Sequence, residues 1–216
     1  GDMLYLPPQA AHDGIAMDDD CMTISIGFRA PGLAMLARGL LEAAADQTMA
    51  RLGQPAGPYG DPPLPGARLD GLYRDPGQPA STHPAELPDA LIDATLGALN
   101  TLRFDAALAA RFLGCWLSEP NTLSVFTAAD DAPDLEEEWP ASGALVLDRR
   151  SRMLYRDRQI FINGETAPVA PSPALRALAD ERRLDCADAR CRRLSEDSRA
   201  CLADWLSAGW LHYVCA

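Results

Sequence analysis

The first 31 residues constrain the fold most, because they carry a pattern that only a sheet can use. An apolar run from Met3 to Leu6 stops at Pro7-Pro8, where neither ring nitrogen has a proton to give to a ladder. His12 follows just past that stop. After the acidic turn Asp18-Asp19-Asp20, Met22, Ile24, Ile26 and Phe28 alternate with Thr23, Ser25, Gly27 and Arg29. The period of two predicts a strand with one apolar face and one small, polar face. A polar inward face opposite a histidine is how a barrel builds a pocket for a small charged ligand.

The stretch GDMLYLPPQAAHDGIA followed by TISIGFRAP resembles the last segment of the JmjC-type cupin barrel of bacterial ribosomal oxygenases. In that family a G-D-x-L-Y-x-P-P run precedes the third iron ligand, a histidine that maps onto His12. The resemblance implies iron(II) as cofactor, 2-oxoglutarate as co-substrate and a ribosomal protein as substrate, with an arginine of large-subunit protein L-sixteen as the residue hydroxylated. It also implies a homodimer and a cytoplasmic location. The fold class expected is α+β: the end of a double-stranded β-helix (cupin/JmjC) barrel, a helical dimerisation segment and a C-terminal winged-helix-like domain.

The site is incomplete by the same standard. Non-haem iron oxygenases hold the metal with two histidines and one carboxylate, leaving positions for co-substrate and oxygen. The family takes the first two ligands from an H-x-D motif, yet His83 and His212 here begin neither H-x-D nor H-x-E. With the motif entered in mid-strand, the chain reads as the C-terminal portion of a longer protein, inactive alone. Metal binding is assigned to His12, which without the motif would read as a surface loop histidine. Asp13 is taken as an outer or exposed group. Thr23 and Ser25 lie on the pocket side by alternation, and the resemblance makes them hydroxyl donors to a 2-oxoglutarate carboxylate. Gly27 would leave room for that ligand, and Arg29 is read as structural.

A formal charge of -12 argues against a general nucleic-acid surface, since phosphate binding relies on basic clusters. A basic ribosomal partner suits it better. All 19 basic residues are arginine, which points to a GC-rich coding sequence. There is no apolar run near the length of a membrane span and no basic-ended leader. Cys21, Cys115, Cys186, Cys191, Cys201 and Cys215 are scattered, and Cys186 and Cys191 lack the tight C-x-x-C spacing of zinc sites. They read as small apolar residues in helices.

Along the chain, residues 1–31 are assigned to the barrel's C-terminal strands, 32–118 to a helical dimerisation region, 119–140 to an acidic linker and 141–216 to the winged-helix-like domain. Leu33, Leu36, Leu40, Leu41 and Ala44 predict a helix over Gly32 to Leu52, ended by Gly53. Residues 54–84, rich in proline and glycine, are an irregular excursion that either wraps a partner subunit or is partly disordered. Two helices follow, about Asp89 to Leu99 and Phe104 to Leu117, whose stripes either a twofold partner or an intramolecular bundle leaning on the barrel would cover, the partner being preferred. The acidic stretch includes Asp130-Asp131 and Glu136-Glu137-Glu138.

In the last 76 residues, strands at 144–147 and 153–155 flank a hairpin-like connection, and Gln159 to Ile162 runs into the Asn163-Gly164 turn, with a return strand from Thr166 to Val169. Helices from Pro173 to Glu181 and Asp197 to Ala208 and a closing strand complete the unit. Arg182, Arg183, Arg190, Arg192 and Arg193 are interleaved with Asp180, Glu181, Asp185 and Asp188, so a protein-contact role is preferred to nucleic-acid binding. The alternative to an oxygenase is a non-catalytic cupin-like protein for dimerisation or partner docking. A winged-helix regulator is disfavoured by charge.

Overall fold

The computed structural model describes residues 3–7, 10–27, 30–74, 77, 82–129 and 132–215. The chain divides into two compact units, Gly1–Gly32 and Leu33–Ala216. Phe28 and Arg29 of the expected strand, Pro8 of the stop and Asp130-Asp131 of the acidic stretch lie outside the described residues.

The first unit corrects an expectation. Neither Met3–Leu6 nor the alternating stretch beginning at Met22 forms a strand among the described residues, and Met3, Leu4, Met22, Ile24 and Ile26 are exposed. Alternation specifies which face a strand would bury, but a strand exists only when a neighbour takes its N–H and C=O groups. The described residues of this unit offer no such neighbour. What they do form is local: the Ala10 amide donates to the Pro7 carbonyl at 3.1 Å, and the Asp18–Asp20 region turns.

The second unit begins with helix α1, Leu33–Arg51. Its end is a Schellman turn: the Gln54 amide donates to Met49 and the Gly53 amide to Ala50, with Gly53 at φ +69°. Helix α2 spans Asp89–Asn100 and buries none of its residues. Helix α3, Ala106–Ser118, starts at Asp105, whose carboxylate accepts from the Leu108 amide at 3.0 Å. Ala43 and Ala44 of α1 pack on Leu108 and Phe112 of α3. Gly39 permits this, because a Cβ there would lie 2.2 Å from the Phe112 ring.

No helix or strand occurs among the described residues between Gly53 and Pro88, as the composition predicts. Part of this excursion is held on the chain's own helices. The buried Gln47 side chain donates to the Tyr59 and Gly60 carbonyls and accepts from the Leu64 amide, and Tyr59 meets Phe112 edge-on at 5.6 Å. It is a loop docked on its own helices.

Among the described residues, six strands, two α-helices and one short 3-10 helix, Ala189–Arg193, make up the rest: β1 Ala144–Leu147, β2 Met153–Arg156, β3 Gln159–Ile162, β4 Glu165–Thr166, α4 Pro173–Glu181, β5 Arg183–Asp185, α5 Glu196–Ser207 and β6 Leu211–Val214. They form two antiparallel three-stranded sheets, in the orders β5-β1-β6 and β2-β3-β4. So β1 and β2 are not a hairpin, contrary to expectation. The Asp148 carboxylate accepts from the Arg150 amide at 2.8 Å, an Asx-type turn, and the buried Ser151 hydroxyl donates to the Trp210 carbonyl. Together these bend the chain out of the first sheet and into the second. The true hairpin joins β2 to β3 through Asp157-Arg158, with Asp157 at φ +49°.

Asn163 and Gly164 take positive φ and turn β3 into β4 as the Asn-Gly pair requires. The return strand is shorter than expected, since the Ala167 amide still donates to Ile160 but Pro168 has no proton to continue. Ser172 and Ser195 cap α4 and α5. The core between the sheets and helices includes Leu145, Ile160, Ile162, Leu175, Leu202 and Leu211. Leu135, from the acidic stretch, is fully buried in it, and the Trp139 indole donates to the Cys186 carbonyl at 2.9 Å.

Candidate functional site

His12 is exposed, and its Nδ1–H donates to the Ala10 carbonyl at 3.3 Å. With the proton on Nδ1, the Nε2 lone pair points away unengaged, which is the atom an imidazole offers a cation. Thr23 and Ser25 are exposed as well. Among the described residues no three His, Cys, Asp or Glu side chains stand close enough to share a metal ion. The described residues therefore gather no set of two histidines and one carboxylate around His12.

The second unit holds polar clusters that the sequence did not single out. The Asp148 carboxylate, almost wholly buried, accepts from Nε and Nη2 of Arg150 at 2.8 Å each and pairs with His212 Nε2 at 2.9 Å. Arg150 above all, aided by His212, holds this carboxyl far below the usual carboxylate range. A carboxylate–imidazole pair could move a proton, but the nearby Ser151 hydroxyl is spent on Trp210 and accepts from Asn163 Nδ2. The cluster is a brace at the base of the β2–β3 hairpin. The only sequence signal for it was His212 facing away from Leu211 on a closing strand.

Arg111 is the largest polar side chain in the interior. Its Nη1 donates to Pro62, Asp61 and Tyr59 carbonyls at 2.8, 3.1 and 3.4 Å, and its Nε to Gln159 Oε1 at 3.0 Å. Burial lowers its pKa. A cleft of about 190 Å³ lies near its loop, lined by Arg51, Leu64, Arg103 and Asp105 among others.

Of the cysteines, Cys115 and Cys201 are buried in α-helices, Cys191 is buried in the short 3-10 helix Ala189–Arg193 and Cys186 is buried outside any helix, whereas Cys21 and Cys215 are exposed. Burial pushes the Cys191 thiol up to about 11 and the Cys201 thiol to about 12. The arginine cluster is balanced as its sequence suggests: Arg183 pairs with Asp185 at 2.8 Å, and Arg190 with Asp188 at 2.7 Å and Glu181 at 3.4 Å. No helix among the described residues is long and apolar enough to cross a membrane.

Comparison with known proteins gives these features a setting. Residues 1–36 match the JmjC domain, and residues 101–212 match the ROXA-like winged helix. A probable ribosomal oxygenase of Haemophilus influenzae is 29% identical over 193 residues, covering 87% of this chain and 45% of the relative. The ribosomal protein uL16 3-hydroxylase of Escherichia coli K12 is 27% identical over 182 residues, covering 83% and 43%. The chain thus spans less than half the length of these curated relatives. Among solved structures, the ribosomal oxygenase YcfD from Escherichia coli superposes with a TM-score of 0.58 at 21% identity, covering 87% of this chain and 48% of that one. YcfD in complex with cobalt and 2-oxoglutarate gives a TM-score of 0.56 at 22% identity, with the same coverage. The shared fold is that of a ribosomal oxygenase with JmjC and winged-helix parts, and with more than half of its residues in the matching module, this chain belongs to the ROXA-like winged-helix family.

Proposed function

We propose that this chain works as part of an iron(II)- and 2-oxoglutarate-dependent oxygenase that hydroxylates a ribosomal protein side chain, an arginine of large-subunit protein L-sixteen. The observation that carries the reading is the joint match of residues 1–36 to a JmjC domain and residues 101–212 to a ROXA-like winged helix, in that order on one chain. His12 would supply one neutral imidazole to the metal through Nε2, and Thr23 and Ser25 would donate hydroxyls to a 2-oxoglutarate carboxylate. When bound, iron and 2-oxoglutarate supply the oxidising chemistry. The remaining ligands must come from residues outside these 216, so the chain alone is inactive.

In the same proposal residues 1–31 end the barrel, 32–118 dimerise, 119–140 connect and 141–216 form the winged-helix part of a cytoplasmic homodimer. The exposed Leu91, Ile92, Leu96 and Leu99 of α2 support the dimer, since a helix with this many apolar side chains in water favours a second copy. The same helix is what favours the alternative, a non-catalytic docking protein.

The experiment is to read the coding DNA upstream of Gly1 and to express the whole frame. An in-frame H-x-D, with 2-oxoglutarate turnover and one oxygen gained by L-sixteen that His12→Ala abolishes, is the expected result. An upstream region with no such motif and no turnover would leave the docking protein. Iron-dependent succinate release by the 216-residue chain itself would refute the incomplete-site reading.

A further inference from the structure

Five of the chain's arginines, Arg149, Arg150, Arg152, Arg156 and Arg158, fall within ten residues that hold one acid, Asp157. Elsewhere acidic residues dominate, since the chain has 31 against 19 basic ones. These ten residues are the turn out of β1, strand β2 and the turn into β3, and all five arginine side chains are exposed. Arg176 of α4 joins them, lying 5.2 Å over the Tyr155 ring. A formal charge of -12 therefore hides a cationic hairpin.

The hairpin is presented on a fixed base. Asp148 anchors Arg150 and His212, Asn163 Oδ1 accepts from the Arg152 amide at 3.0 Å, and Arg182 donates to the Asp148 and Ser151 carbonyls at 2.8 and 3.1 Å. Much of the charge above that base is uncommitted. Arg149 and Arg158 have no partner among the described residues. Arg152 reaches only the Glu119 carbonyl at 3.4 Å, and Arg156 meets Asp157 at 3.5 Å in an exposed pair that water and salt weaken.

We propose that this arginine hairpin docks the phosphate backbone of RNA. Guanidinium forks match phosphate oxygens, and exposed arginines spaced along a strand can each take a phosphate and release its counterions. A protein partner would need an apolar centre to desolvate, and on β2 only Leu154 is large, apolar and exposed. A basic ribosomal protein would be repelled here, so this surface is distinct in charge from whatever receives such a substrate. Net charge, which argued against nucleic acid, is a sum over the chain, while a phosphate meets the local field. The choice of RNA over DNA rests on the proposed ribosomal role; the phosphate contact does not.

The test uses the 216-residue chain and a fluorescein-labelled single-stranded RNA, with anisotropy read across a salt series. The expected result is binding whose log–log salt slope flattens by about 2 in R149Q/R152Q/R158Q, because each arginine that no longer neutralises a phosphate of a single strand takes about 0.7 from the slope. The control R192Q/R193Q, which removes two exposed arginines away from the hairpin, should bind as the unmodified chain does, and circular dichroism should show all three folded alike. Salt-independent binding, equal loss in the control, tighter binding to DNA of the same sequence, or displacement by polyglutamate as readily as by unlabelled RNA would each overturn the proposal. Neither iron nor 2-oxoglutarate enters this assay, so its failure leaves the oxygenase reading untouched.

Discussion

Replacing Arg111 by methionine keeps a long, unbranched side chain and removes every donor that holds the 59–62 loop to α3. Three of the four bonds are well formed, to Pro62, Asp61 and Gln159 at 2.8 to 3.1 Å, and the fourth, to Tyr59, is stretched to 3.4 Å. Hydrogen bonds to a charged group are worth about 1.5–3 kcal/mol each, which gives a gross loss of about 5–9 kcal/mol. Against this, removing a buried cation recovers several kcal/mol of desolvation, the same effect that lowers the Arg111 pKa. Asp61 and Pro62 are themselves exposed, so their freed carbonyls can turn to water. The net cost expected is about 2–4 kcal/mol. For a unit of this size that lowers Tm by about 5–15 °C. Urea titration gives the global figure, and amide exchange at Tyr59 and Leu64, whose N–H groups are held by Asp46 and Gln47, reports the loop. If R111M stays within about 0.5 kcal/mol of the parent and those two amides keep their protection, the guanidinium does not hold the loop and the reasoning fails.

Other expectations follow from single side chains. D148N should cost about 2–3 kcal/mol near neutrality by weakening charge-assisted bonds to Arg150 and His212. Because the folded carboxyl titrates below its unfolded value of about 3.9, its contribution is present above that pH and lost as pH falls toward the depressed value. The acid limb of a stability–pH curve should therefore be steeper in the parent than in D148N. G114A should destabilise by about 1–3 kcal/mol in thermal melts, because the new methyl would lie 2.1 Å from the Phe161 ring. In a thiol-reagent titration Cys21 and Cys215 should react at once and the four buried cysteines only on unfolding.

Local chemistry was legible and long-range pairing was not. Gly53, Ser172, Asn163-Gly164 and the helix stripes each act within a few residues, and each marks an element that forms where expected. The misreadings share a cause. Whether 144–147 pairs with 153–156 is decided by Arg182, Trp210 and Asn163, all far along the chain, and the sequence around Asp148 suits a hairpin and a crossover equally. His12, Thr23 and Ser25 could be named from a motif, but no metal-binding cluster among the described residues gathers around them. Arg111 gave no sign at all: one arginine among small apolar residues of α3 reads as a solvent-facing position, and only the carbonyl-rich loop from residue 59 onward makes it an interior one.

Helix α3 also packs on both α1 and the second sheet within the unit Leu33–Ala216. Leu108 and Phe112 face α1, while Arg111, Gly114, Cys115 and Ser118, at spacings of three and four, face the second sheet. There Arg111 bonds Gln159, Gly114 admits the Phe161 ring, Cys115 meets the Thr166 hydroxyl at 3.4 Å and the Ser118 hydroxyl accepts from the Gly164 amide at 3.0 Å. A helix buried on two adjoining faces belongs to two cores at once, so loosening either would expose the other's apolar surface. The acidic stretch that follows is tied down in the same way by Leu135 and Trp139. An arginine-bearing hairpin on this frame is therefore held at a fixed position relative to α1, and anything it docks is held there too.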